Sequence, residues 1–325
     1  MNSLLDSLNE RILVLDGAMG TMIQTYRLDE SDYRGKKFRN HKCPLKGNND
    51  LLSITKPNII KEIHKGYLDA GADIIETNTF SSTSIAMADY KMENYIFDLN
   101  FESAKIAKEV TEKYALKKYV AGSVGPTNKT ASMSSDVNNP GLRDITFDEL
   151  VKSYSEQISG LIEGGCDLLL VETIFDTLNA KAALFAIDNY FEDNKTNVPV
   201  MVSGTITDQS GRTLSGQTVN AFLISVSHFP ILSVGFNCAL GASQLTPYIK
   251  RLSYSTNFYT SAHPNAGLPN AFGEYDQTPE EMLAQIKVYL KNDLINIIGG
   301  CCGTTYEHIR LIAEEVKKYK PRKVN

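Results

Sequence analysis

No apolar run in this chain approaches the roughly 20 residues a helix needs to span a bilayer, so no membrane partner is expected. An excess of base is missing too: 33 Lys and Arg stand against 38 Asp and Glu, for a net charge of −5. An electrostatic nucleic-acid binder carries a basic patch or stripe, so no nucleic acid is expected either. The opening MNSLLDSLNE has neither a basic n-region nor a small-residue cleavage site; without a secretory signal, the expected location is cytoplasmic. No G-x-G-x-x-G follows the first apolar run, which counts against a dinucleotide-binding open sheet. Cysteines are few and odd in number: Cys43, Cys166, Cys238, Cys301 and Cys302. That count does not suit a disulfide framework. In a reducing compartment such cysteines serve as metal ligands, nucleophiles or small buried residues.

What is present is a rhythm. Of the 325 residues, 42% are hydrophobic and 22% charged, enough for a full core. Short apolar runs recur at 12–15, 73–76, 119–123, 168–172, 198–203, 232–236, 259–262 and 294–298. They are mostly continuously apolar rather than alternating, as parallel strands covered on both faces are. Amphipathic stretches separate them, at 57–70, 95–114, 147–163, 177–190, 217–228, 243–252, 279–290 and 306–318. Thr278-Pro279-Glu280-Glu281 reads as a helix start, with a capping Thr, Pro just inside and acids in the first turn. Eight such units predict an α/β fold, a (β/α)8 TIM barrel over residues 1–315, with 316–325 as a tail or truncated linker. The polar segment from about Tyr26 to Asp50 is too long for an ordinary βα loop and is expected to be functional or mobile.

In this architecture the chemistry lies at the C-terminal ends of the strands. Cys238 follows the sixth run, and Cys301 and Cys302 follow the eighth. Neighbours on a regular strand point to opposite faces, so both can reach one metal only if the strand has ended. Gly299, Gly300 and Gly303 allow that turn. Three thiolates suit Zn²⁺, and three protein ligands with an open fourth position is the pattern of a catalytic site. Such a site invites a substrate thiol and points to alkyl transfer to sulfur. The alternatives are a Cys301–Cys302 disulfide with Cys238 buried beside it, or a closed structural zinc site. Cys43 and Cys166 read as structural or incidental.

Asp16, Glu76 and Glu172 also end strands. A strand-end carboxylate can accept the ammonium of a substrate amino acid. Asp16 could equally cap a short helix. Ser123, with the amides of Val124 and Gly125, could hold a carboxylate. His263 could line the mouth beside the ligands. His64, His228 and His308 fall in predicted helices, as surface or core positions.

The runs LDGAMGTMIQ, GADIIETNTF, AGSVGPTNKTAS, GFNCALGA and GGCCGTT resemble the homocysteine S-methyltransferase family. SGTITDQSGRTLSGQT and NAGLPNAFGEYD are similar to the homocysteine-binding barrel of its cobalamin-dependent methionine synthases. The resemblance runs from about Arg11 to Ile312. It implies a zinc ion on Cys238, Cys301 and Cys302, with L-homocysteine thiolate at the open position. It also implies that Asp16, Glu172 and Ser123 bind the amino-acid end and that Asn237 and Asn78 shape the pocket. The expected donor is methylcobalamin, carried by a corrinoid-binding domain or protein alongside a folate-binding domain. The chain lacks the D-x-H-x-x-G motif that supplies a histidine to cobalt. The alternatives are S-methylmethionine or betaine as donor, or a zinc- and thiol-binding module without turnover.

Overall fold

The computed structural model describes residues 3–208 and 210–324. Met1 and Asn2 of the expected barrel, Gln209 in the SGTITDQSGRTLSGQT run and Asn325 of the expected tail lie outside the described residues. Eight parallel strands form the barrel: β1 (Leu13–Val14), β2 (Ile74–Glu76), β3 (Tyr119–Val124), β4 (Leu168–Ile174), β5 (Val200–Gly204), β6 (Ser233–Gly241), β7 (Tyr259–Asn265) and β8 (Ile297–Ile298). Neighbours pair in the order β1-β8-β7-β6-β5-β4-β3-β2. The bridge between Leu15 and Ile74 closes the ring. The predicted (β/α)8 architecture is the observed one.

Strand β4 shows why the apolar runs do not alternate. Leu168 and Leu170 point into the barrel, among Leu13, Leu15, Ile74, Tyr119, Met201 and Ile297. Leu169 and Val171 point out, into the larger core under the helices. Both faces are dry, so both sets are apolar.

The helix Leu4–Glu10, which the sequence reading did not anticipate, packs Leu4 and Leu8 against that interior cluster. Ser3 and Asp6 form its capping box. Thr278 and Glu281 form the expected one: the Thr278 hydroxyl accepts from Glu281 N at 3.3 Å, and the Glu281 carboxylate accepts from Thr278 N at 2.9 Å. The long segment after Tyr26 is folded down. Glu30 accepts the amides of Leu45 and Lys46, and Arg34 donates to the carbonyls of His41 and Cys43. After the last helix, Tyr306–Val316, the Arg322 guanidinium donates to the carbonyls of Ser253, Thr256 and Phe258. Among the described residues no helix is long and apolar enough to cross a membrane.

Candidate active site

The inward alternation continues past the apolar layers. Positions 74, 119, 121, 168 and 170 of the interior lead to Glu76, Ser123 and Glu172, and the same step on β6 and β7 reaches Asn237 and His263. All five line one cavity of about 640 Å³ at the C-terminal mouth, together with Asp16, Asn78, Cys238, Cys301 and Cys302.

Two irregular strand ends shape it. The β6–β7 register slips between Asn237 and Gly241, where Cys238 (φ 61°) and Ala239 (φ 57°) are left-handed. A bulge of this kind re-aims a side chain, here the Cys238 thiol. The β4–β5 register slips between Val171 and Ile174, and Thr173 takes φ 53°, a costly conformation for a β-branched residue. Such strain persists where the surroundings over-determine it, most often at functional sites.

Strand β8 stops at Ile298, as the glycines required. A side chain at Gly299 would meet Leu15 Cβ at 2.7 Å, and one at Gly300 would meet Thr304 Oγ1 at 2.5 Å. The turn is fixed by Cys301 N donating to Pro264 O at 2.9 Å and Ala266 N to Cys302 O at 2.9 Å.

The three sulfurs lie within 4.8 Å of one another, with Cys238 and Cys302 3.8 Å apart. All five cysteines are free, so the vicinal disulfide is not formed. A tetrahedral ion with bonds of about 2.3 Å spaces its sulfurs by roughly 3.8 Å, so the cluster fits a zinc-sized soft cation. Among the thiols, Cys302 is held down to about 3 because Cys238 and then Cys301 donate to it. Cys301 is pushed up by its contacts with Cys238 and then Cys302, and by burial. Cys43 and Cys166 take no part in the cluster.

The carboxylates face the thiols. Burial first, then the hydroxyls of Ser123 and Thr173 working against it, leaves Glu172 raised to about 7. Glu76 is raised by burial, then by the charges of Glu172 and Asp16. Asp16 is raised mainly by burial. No lysine or arginine lines the cavity among the described residues. Three buried acids with no lysine or arginine beside them can accept a cationic group.

Asp16 does not cap a helix: Ala18 holds the N-cap position of Met19–Thr25, and Asp16 Oδ2 accepts from Glu76 N at 3.1 Å. Ser123 lines the cavity, but its amide donates to Thr77 Oγ1 (2.9 Å) and its hydroxyl to Glu172 Oε1 (2.5 Å). Its polar atoms therefore brace a carboxylate. Asn78 donates to Asn49 O at 2.8 Å, tying the long segment to the mouth. Asn237 joins the two sides. Its Oδ1 accepts from Ser203 Oγ (2.7 Å) and Thr173 N (3.0 Å), and its Nδ2 donates to Thr173 Oγ1 (2.7 Å) and faces Cys301 Sγ at 4.0 Å.

Glu76, expected as a strand-end carboxylate, and His263, expected at the mouth, both line the cavity, whereas Tyr275 carried no sequence signal. Both His263 nitrogens are buried without a partner among the described residues, and burial lowers the ring to about 3. Tyr275 arrives on the loop after β7 and lines the cavity beside Cys302.

Residues 13–316 match the family model described as homocysteine S-methyltransferase. Among solved structures, the chain is similar to the metallated form of the homocysteine methyltransferase MmuM from Escherichia coli. That match has 23% identity and a TM-score of 0.73, covering 96% of this chain and 98% of that one. The oxidized form of the same protein matches at 22% identity and a TM-score of 0.73, with the same coverage. A B12-independent methionine synthase from Shewanella sp. W3-18-1, in complex with selenomethionine, matches at 13% identity and a TM-score of 0.52, over 85% of this chain and 91% of that one. At these identities the structural likeness carries the fold.

Proposed function

The chain belongs to the homocysteine S-methyltransferase family, and from that premise we propose that it transfers a methyl group from methylcobalamin, carried by another domain or protein, to the thiol of L-homocysteine. One observation carries the reading. Three thiols fit for a soft metal and three buried carboxylates without a cation share one cavity, joined by Asn237. Homocysteine has a group for each side, a thiol at one end and an ammonium at the other.

In this reading Cys238, Cys301 and Cys302 hold Zn²⁺, which when bound keeps a coordinated thiol deprotonated at neutral pH. Glu172, Asp16 and Glu76 accept the ammonium through charge-assisted hydrogen bonds. Ser123 and Thr173 hold Glu172 in place, and Asn237 fixes the carboxylate side relative to the sulfurs. Asn78 supports the mouth through Asn49. The new bond is sulfur to methyl carbon; the donor–methyl bond breaks, and its electron pair leaves with the donor. Fixing the reacting atoms in line is worth up to about 7–11 kcal/mol. A corrinoid-binding and a folate-binding domain are the partners this donor requires.

A second reading keeps the acceptor and changes the donor to S-methylmethionine or betaine. The cavity favours it in one respect, reaching beyond the thiols to Phe80, Met87 and Tyr90 with room for a small donor.

Zinc content and homocysteine affinity on one sample, with and without a chelator, test the core of the proposal. One zinc per chain, with binding lost on chelation and restored by zinc, is the expected result. Homocysteine binding indifferent to zinc would overturn it. Turnover with methylcobalamin, S-methylmethionine and betaine, assayed separately, then separates the donors.

A further inference from the structure

A regular strand turns successive side chains to opposite faces. Within β4 and β6 that rule breaks at the mouth. On β4, Glu172 and Thr173 both line the cavity, while Val171 and Ile174 on either side of them both face the outer core. On β6, Asn237 and Cys238 both line it. Left-handed backbone makes each break, at Thr173 on β4 and at Cys238 and Ala239 on β6. The bulge on each strand thus brings two neighbours into one space.

The two bulges are tied to each other across β5. Thr173 N donates to Asn237 Oδ1 at 3.0 Å, and Asn237 Nδ2 donates to Thr173 Oγ1 at 2.7 Å. From β5 between them, Ser203 Oγ donates to the same Oδ1 at 2.7 Å. The Thr173 hydroxyl accepts from Asn237 and donates its own proton to Glu172 Oε2 at 3.3 Å. Asn237 Nδ2 lies 3.4 Å from that carboxylate oxygen and 4.0 Å from Cys301 Sγ. One nitrogen therefore touches the acid on one side and the sulfur cluster on the other. Asn237 is buried, and its amide oxygen is held twice, so the nitrogen has no freedom to swing away. A β-branched residue keeps a left-handed conformation only where its surroundings over-determine it, and these bonds do so for Thr173.

We propose that Thr173 and Asn237 form a spacer that fixes Glu172 relative to the sulfur cluster, so that the site reads the length of chain between a substrate's thiol and its amine. The inference rests on the reading of L-homocysteine as substrate, with its thiol toward the cysteines and its ammonium toward Glu172. Cysteine carries the same three groups with one methylene fewer. Between two fixed anchors homocysteine reaches both, and cysteine reaches one at a time. Thr173 acts through Glu172 and Asn237, as a positioning residue.

The test uses the zinc-loaded full chain as wild type, Thr173→Gly and Thr173→Ser. Glycine suits the left-handed backbone, so Thr173→Gly removes the hydroxyl and keeps the turn. Thr173→Ser keeps the hydroxyl. Each protein is titrated with homocysteine and with cysteine by calorimetry, and zinc and the thermal midpoint are measured on the same samples. The wild type is expected to favour homocysteine. In Thr173→Gly homocysteine affinity should fall about 10-fold, the loss of one hydrogen bond to a charged group, while cysteine affinity holds. Thr173→Ser should keep the wild-type ratio. Should Thr173→Gly fail to fold, Thr173→Ala is read in its place. A purely structural threonine would move the thermal midpoint and leave the ratio unchanged. That result, or a wild type that binds the two amino acids equally, overturns the spacer and leaves the thiol-on-metal reading standing. Wild-type homocysteine binding that survives a chelator overturns that reading and the spacer with it.

Discussion

The two sides of the mouth carry ligand atoms of opposite character. On the β6 and β8 side, three sulfurs gather within 4.8 Å, a soft set placed by a bulge and a glycine-rich turn. On the β1, β2 and β4 side, three hard carboxylates are buried together and raised by that burial. Neither cluster is at ease as the chain alone presents it. Thiolates crowded together repel, and buried carboxylates without a cation cling to protons. A metal relieves the first and an ammonium the second. On the proposed function, the difference matches a molecule with a sulfur at one end and an amine at the other. The two sides should therefore fail separately.

The largest failure is on the sulfur side. Cys301→Ala removes the thiol that Asn237 faces. Loss of groups that merely support a metal ligand costs about 10–100-fold, so loss of a ligand should cost more than 100-fold in turnover. Zinc measured on the purified variant should fall from one per chain to near none. Retained zinc with normal turnover would remove Cys301 from the metal site.

Glu172→Gln breaks the other side alone. Losing one charge-assisted contact is worth about 1.5–3 kcal/mol, or roughly 10- to 150-fold in homocysteine affinity. Zinc should stay at one per chain. Titration calorimetry with homocysteine and metal analysis on the same sample check the pair. Zinc lost together with affinity would mean that the two sides are one unit.

A pH effect sharpens the contrast. Glu172 is raised from 4.5 to about 7 in the folded chain, so between those values the folded state holds more protons than the unfolded state. Stability then falls as pH rises through this window. Glu172 therefore pulls the thermal midpoint without substrate down between pH 5 and pH 8, as the raised Asp16 and Glu76 do, while the lowered His263 ring and Cys302 thiol pull the other way. Relative to the wild type, Glu172→Gln should hold its midpoint better as pH rises through this window. An unchanged slope in the variant would mean that Glu172 does not carry the titration.

The sulfur side was far more legible in the sequence than the acid side, for a physical reason. Cysteines at strand ends with glycines around them are rare residues in a constrained setting, and Gly299, Gly300 and Gly303 proved to be places where a side chain cannot fit. The barrel was legible too, because its strands are apolar on both faces. Glu76 and His263 depend on which way a strand faces, and a one-residue slip would turn them outward. The bulge at Cys238 and Ala239 uses residues that carry no mark of a left-handed backbone. The helix Leu4–Glu10 is two turns long, with too short a pattern to stand out, and Tyr275 reaches the site through a hairpin whose path only the folded chain defines.

Ser123→Ala gives the smallest expected effect and the finest distinction. In the sequence Ser123 looked like part of an anion cradle; in the fold its hydroxyl is spent on Glu172. That bond favours the charged carboxylate, so its loss should raise Glu172 further above 7. At pH 7 the variant should bind homocysteine about 5-fold more weakly, the worth of roughly 1 kcal/mol. At a pH well above 7, where Glu172 is ionised with or without its serine, the defect should shrink toward none. If Ser123 instead touched the substrate's carboxylate, the loss would be the same at both pH values. Affinities of wild type and variant at pH 7 and pH 9 therefore separate a residue that braces the acid side from one that binds the substrate directly.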